Sequence, residues 1–333
     1  MEFAGKIVNH NQVGGIESYV IDNGIGRGCR AAWVNTGSGL RFKVSIDRGL
    51  DIVDAFYNNY SLAFLTHQGL GVPRPDSDKD IEWLTNFPGG LVTTCGLSHF
   101  GGPESSRGLH GRYSNLAAEL ESIIQPDIAD AAPVMSITGK VRESSLFGPN
   151  LELKRTISCV LGKPVIKITD KVSNRGNTAV PLMLLYHCNF GWPLVDKGTR
   201  LVYNGKVKSR GSEQDNAIFN DGNDYKLCQG PLEAHDGFGE ACGFIDPKAD
   251  TKGNCTAGLY NEKLGLGVTL KFSKKQLPCL TNWQHWGQGE YVTGIEPGTN
   301  YPIGQNAAKA QGKLTILEPG QSRDFGLEIE VKG

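Results

Sequence analysis

Leu40-Arg41-Phe42-Lys43-Val44-Ser45-Ile46 alternates apolar and polar side chains at every step. Successive side chains of a β-strand point to opposite faces, so this spacing puts Leu40, Phe42, Val44 and Ile46 on one buried face. The same period of two runs through Val268–Phe272 and Phe325–Val331. It recurs from Leu151 to Cys159 with Arg155 out of pattern, and from Ile166 to Val172 with Asp170 out of pattern. Turn chemistry bounds these runs. Thr36-Gly37-Ser38-Gly39 precedes the first and suffices for a hairpin; Pro319-Gly320 predicts another, pairing Lys313–Leu317 with the last strand. Only Leu116–Ile124 offers a short amphipathic helix. No repeat, low-complexity tract or linker interrupts the chain, so residues 1–333 are expected to form one all-β domain. Many antiparallel strands closed by turns predict a two-sheet sandwich rather than a parallel α/β sheet.

Composition excludes several classes. The 34 basic and 35 acidic residues of the 333 leave a net charge of −1, without the clustered positive field of a nucleic-acid partner. No segment approaches the ~18 apolar residues of a membrane span, and the first fifteen residues lack a signal-peptide core. A cytoplasmic location with no membrane partner is the expectation; oligomeric state leaves no mark. The eight cysteines are scattered with no C-x-x-C pair, which predicts small buried thiols rather than a disulfide framework or a metal centre. Asn-x-Ser/Thr triplets at Asn59 and Asn254 occur at a chance frequency. Gly24-Ile25-Gly26-Arg27-Gly28 has neither dinucleotide nor phosphate-loop spacing, no G-x-S-x-G elbow exists, and no His or Cys pairs have zinc-ligand spacing.

Three polar and aromatic clusters remain. Gly89–Leu97 followed by Gly108-Leu109-His110-Gly111-Arg112 joins flexible backbone to two strong donors, although a tight loop with solvated His and Arg has the same composition. Leu182–Pro193 begins as an apolar strand buried on both faces and ends by delivering His187 and Asn189. A hydrogen-bonded structural histidine would look the same. Thr281-Asn282-Trp283-Gln284-His285-Trp286 offers two flat indole faces that suit the C–H faces of a sugar, with amide and imidazole groups for its hydroxyls. Core packing is the commoner fate of tryptophan. Glu296 closes an apolar stretch, Tyr291–Ile295, where desolvation would raise its basicity.

At these residues the sequence resembles the aldose 1-epimerase (galactose mutarotase-like) superfamily, in a branch known as an uncharacterised domain. The marks, in order, are Asp47–Ile52, Leu91–Leu97 with Gly108–Arg112, Tyr186–Asn189 and Gly294–Asn300. The resemblance implies a β-supersandwich without a cofactor. It implies His187 as general acid, Glu296 as general base and His110 as a sugar ligand. It further implies an acidic sugar ligand, which Asp236 and Glu240 both match, and an arginine, for which Arg48 and Arg112 compete. His285, Asn189 and Trp283 complete the expected sugar site.

The chemistry suits these residue types. Opening a cyclic hemiacetal removes the anomeric hydroxyl proton while the ring oxygen gains one. A carboxylate and an imidazolium on opposite sides of the anomeric carbon would do this, each contributing roughly 10²–10⁴-fold. A sugar-binding protein without catalysis would keep Trp283, Trp286 and His110 but need no acid–base pair. A different isomerase or lyase on the same scaffold could hold a metal with His110, His187 and His285. A phosphosugar substrate is disfavoured because no Arg/Lys cluster adjoins the site motifs in sequence.

Overall fold

The computed structural model describes residues 5–333. In chain order, β1 (Gly15–Val20), β2 (Arg30–Asn35), β3 (Leu40–Ser45), β4 (Asp51–Tyr57) and β5 (Tyr60–Ser61) form a five-stranded meander. β6 (Thr93–Leu97), β7 (Glu119–Ile124), β8 (Val134–Ser144), β9 (Asn150–Val160), β10 (Val165–Asn174) and β11 (Val180–Gly191) follow. The remainder is β12 (Arg200–Tyr203), β13 (Gly205–Ser209), β14 (Ala241–Pro247), β15 (Asn254–Asn261), β16 (Leu266–Ser273), β17 (Cys279–Gly287), β18 (Glu290–Gly298), β19 (Thr315–Leu317) and β20 (Ser322–Lys332). An eight-stranded sheet runs β12-β15-β16-β20-β10-β9-β8-β7, and a seven-stranded sheet joins β13-β14-β17-β18-β11-β19 with β6 against β11. Every pairing among these strands is antiparallel.

The alternating runs behave as their spacing dictates. Leu40, Phe42 and Val44 are buried on β3, and Phe325, Leu327, Ile329 and Val331 on β20. Strand β11 is buried along nearly its whole length because both faces are covered. Leu182, Leu184, Tyr186, Cys188 and Phe190 enter the sandwich core, while Met183 and Leu185 pack with Trp83, Phe87 and Cys95 on the opposite side. His187 and Asn189 share that opposite face, by the period of two.

The residues that broke the pattern on β9 and β10 are partners. Arg155 and Asp170 stand opposite each other in register. Both are fully buried, joined by Arg155 Nε to Asp170 Oδ1 at 2.9 Å and Nη2 to Oδ2 at 2.7 Å. Arg155 Nη1 donates to Asp51 on β4 at 2.8 Å, Tyr186 OH donates to Asp170 at 2.8 Å, and Asp51 accepts from Thr94 on β6. Charges buried this deeply persist only when paired and hydrogen-bonded, and this network ties all three sheets together.

Two local expectations are corrected. Leu116–Ile124 is no helix: Glu119–Ile124 is edge strand β7, paired with β8, and its half-buried edge position admits the irregular pattern. Thr315–Leu317 pairs with β11 rather than with the last strand. The Asn174 side chain donates to Leu317 O at 2.9 Å, and β20 departs to the other sheet beside β10. All eight cysteines are buried and free.

Candidate active site

The seven-stranded sheet carries a cleft of about 430 Å³ on the face of β11 turned away from the sandwich core. His187 and Glu296 form its floor, on neighbouring strands. The register, Leu185 opposite Gly298 and Cys188 opposite Ile295, sets His187 directly across from Glu296. His187 Nε2 is 3.3 Å from Glu296 Oε1, and both side chains are buried. The alignment is too poor for a hydrogen bond, so Glu296 Oε1 has no partner among the described residues. The glycine two residues earlier makes room for this carboxyl group: a Cβ on Gly294 would lie 2.4 Å from Glu296 Oε1.

Asn189 stands behind the histidine rather than in the cleft. Its amide nitrogen donates to Gly90 O and His187 O, both at 3.0 Å. Both amide hydrogens are therefore engaged, and Oδ1 faces His187 Nδ1 at 2.6 Å. An amide oxygen can only accept, so Nδ1 carries a proton and Nε2 is left as the exchanging atom toward Glu296.

Burial lowers the His187 pKa to about 4, against the opposing effect of the hydrogen bond that Nδ1 donates to Asn189. Burial also holds the Glu296 carboxyl well above the usual carboxylate range, assisted by the Glu240 charge and opposed by Arg210. Burial thus favours the uncharged form of each group, a neutral imidazole beside a protonated carboxyl.

Aromatic rings enclose the pair. The Trp83 and Phe87 rings stack at 4.5 Å, and Trp83 meets His110 edge-on at 4.7 Å. His187 is edge-on to His110 at 5.5 Å and to Trp283 at 5.4 Å. His110 adopts a φ of 61°, uncommon for a residue with a side chain, held by backbone bonds from His110 N to Gly101 O and Gly96 N to His110 O. Its Nδ1 is buried without a partner, and burial pushes its pKa well below the ordinary histidine value. Gly111 permits the loop to close, because a Cβ there would lie 2.2 Å from His99 O.

On the outer wall, Glu240 accepts from Trp283 Nε1 at 2.8 Å and from Arg210 Nη1 at 2.7 Å. Arg210 Nε is itself held by Asp215 at 3.0 Å. His285 stacks parallel to Trp283 and is hydrogen-bonded through Nδ1 to Gly239 O.

The cleft thus brings together His110, His187, Trp283, His285, Glu296 and Glu240 from the sequence-predicted set. It leaves others out. Of the two acidic candidates only Glu240 lines it; the Asp236 carboxylate accepts from Gln288 N on the adjacent turn. Neither arginine candidate reaches it. Arg48 is buried elsewhere, donating to the carbonyls of Ser114, Asn86 and Gly71, and Arg112 lies 3.7 Å from Asp78. Trp286 turns to the opposite face of β17 and belongs to the sandwich core. The arginine of the cleft is Arg210, just beyond the short exposed strand β13, where no local motif marks it. His110, His187 and His285 do not converge as ligands: the two ring nitrogens of His285 face Gly239 O and Glu290. No group of three His, Cys, Asp or Glu among the described residues could hold a metal ion, and no helix there is long and apolar enough to cross a membrane.

Solved structures share this architecture. A Klebsiella pneumoniae protein named as a candidate aldose 1-epimerase superimposes with a TM-score of 0.86 at 24% identity, over 97% of this chain and 86% of that one. A galactose mutarotase-like protein from Clostridium acetobutylicum gives 0.64 at 14% identity, over 96% and 98%. An Escherichia coli candidate aldose 1-epimerase gives 0.57 at 13% identity, over 95% and 99%. These likenesses fix the fold as the galactose mutarotase-like β-sandwich. Among curated proteins nothing matches. The model of a family described as a domain of unknown function, DUF4432, matches residues 26–331, and the chain belongs to that family.

Proposed function

We propose that the chain is an aldose 1-epimerase-like isomerase that interconverts the anomers of a free sugar. The observation that carries this reading is the buried Glu296 carboxyl, with no hydrogen-bond partner on Oε1, 3.3 Å from His187 Nε2 at the floor of an aromatic cleft. A buried polar oxygen left unpaired is costly unless a ligand satisfies it. A sugar hydroxyl is a donor of the right kind.

Glu296 is assigned as the base for the anomeric hydroxyl and His187 as the acid for the ring oxygen. The two groups stand side by side rather than on opposite sides of the anomeric carbon. This arrangement suits the reaction, since both oxygens of a hemiacetal hang on one carbon. The pair needs one exchangeable proton. Ring opening with Glu296 as base starts with that proton on His187, and closure returns from the state with it on Glu296. A sugar hydroxyl donated to Glu296 favours its carboxylate and so moves the proton toward His187. Asn189 is a positioning residue, Trp283 a platform for the sugar's C–H face, and His110, Glu240 and Arg210 are partners for its hydroxyls. The reaction calls on no cofactor.

The test is anomer exchange followed by NMR across a panel of aldoses. Catalysed exchange of at least one supports the assignment. Binding with no rate enhancement anywhere in the panel would instead identify a sugar-binding protein.

A further inference from the structure

The sheet face that bears the cleft continues into a second cavity of about 480 Å³. On β14, Cys242 lines the first cavity and Asp246 the second; on β17, Trp283 lines the first and Cys279 the second. Each step is four residues along a strand, so these lining positions are about 13 Å apart on the same face. Between them lie Phe244 and Thr281, opposite each other in register. Phe244 stacks on Tyr301 with ring centroids 4.7 Å apart and planes 16° apart, and both residues are half-buried. The adjoining Thr281 hydroxyl is buried without a hydrogen-bond partner.

The second cavity is strongly basic. Lys274, Lys275, Lys313 and Arg323 line it against a single carboxylate, Asp246. Lys274 is already paired with that carboxylate and with Pro247 O. Lys275, Lys313 and Arg323 have no acidic partner among the described residues; Arg323 reaches only the Thr315 hydroxyl, at 3.4 Å. These cations come from three separate segments, so the cluster exists only in the fold. The site motifs themselves still carry no Arg/Lys cluster beside them in sequence; this one lies in the neighbouring cavity.

We infer that this face carries an anion-binding subsite for a sulfate, phosphate or carboxylate group borne on a saccharide whose reducing end occupies the His187–Glu296 cleft. Cations left without partners in a concavity are the complement of an oxyanion. The half-buried Phe244–Tyr301 pair supplies a flat surface for the sugar residue between. The four-residue separation puts the anionic group on a neighbouring sugar rather than on the reacting ring. The saccharide half of the inference rests on the sugar-binding role of the first cleft; the anion half does not.

The experiment uses two probes, wild type and the triple variant Lys275→Gln, Lys313→Gln, Arg323→Gln, whose changes all lie on exposed side chains. The first probe is an array of glycans in matched neutral and sulfated, phosphorylated or uronate-bearing pairs. The second is inorganic sulfate, titrated by calorimetry at low salt. Wild type should prefer the anionic member of a pair by about tenfold or more, the scale of charge-assisted hydrogen bonds. The triple variant should lose that preference and keep neutral binding. Sulfate binding that the triple variant abolishes, with no glycan bound, would uphold the anion subsite and sink the sugar role of the cleft. Equal binding of charged and neutral partners, or an anion preference that survives the triple variant, would overturn the inference.

Discussion

Asn189 Oδ1 lies 2.6 Å from His187 Nδ1, two residues away on the same face of one strand, and fixes which ring nitrogen faces Glu296. Because the amide hydrogens are held by Gly90 O and His187 O, the side chain cannot flip without breaking both bonds. A pH profile reads this contact directly. If the pair acts as proposed, with one shared proton, kcat/KM should fall on the acid side as His187 gains a proton near pH 4. Asn189→Asp puts a carboxylate on Nδ1, favours the imidazolium and should move the acid limb to higher pH. Asn189→Leu frees the ring and should cost about a hundredfold in kcat. An unchanged profile in both variants would remove Asn189 from the site.

Gly294 tests the space left for the carboxyl group. An added methyl would fall 2.4 Å from Glu296 Oε1 and 3.2 Å from Trp283 Cβ. Gly294→Ala should therefore displace Glu296 and lower kcat/KM by about a hundredfold, with a smaller change in Tm. Wild-type activity in this variant would show that the carboxyl position does not matter.

Much of the fold was legible because alternation is a local signal that strand burial imposes directly. Even the two exceptions carried information. Arg155 and Asp170 break the period with opposite charges at inward positions of consecutive runs, and they pair across β9 and β10. The site was less legible. His187 and Glu296 stood out because a polar side chain closes an apolar run. Arg210 did not: it is brought to the cleft by Glu240 and Asp215, thirty and five residues away in the chain. Arg48 misled because its neighbours look like a motif, whereas its guanidinium satisfies three buried carbonyls. Trp283 and Trp286 cannot share a face three residues apart on a strand, a parity visible in the sequence.

The two arginines separate by measurement. Arg48→Met strands three buried carbonyls and should cost about 3 kcal/mol or more of stability. Arg210→Gln should cost less stability and mainly raise KM for the sugar. Thermal melts beside steady-state kinetics check the pair, and the reverse pattern would exchange their roles.

Glu296 should also weigh on stability. Its folded pKa is raised by burial above the unfolded value, so the folded state binds the extra proton. Stability from this group is full below the unfolded pKa and declines as pH rises toward the folded one. Glu296→Gln removes the ionisable group, so the variant should gain in Tm relative to wild type as pH rises above the unfolded carboxyl pKa toward the raised folded one. A difference that shrinks with rising pH would contradict the burial of this carboxyl.

The most direct test of acid–base catalysis is the rate of anomer exchange, measured by NMR saturation transfer on the best aldose of the panel, for wild type and Glu296→Gln. The amide keeps the shape of the side chain and removes the proton acceptor. Catalysed exchange in wild type should fall by about 10²-fold or more in the variant, while the sugar still binds. Exchange at the wild-type rate in Glu296→Gln would contradict the assignment of Glu296 as the base.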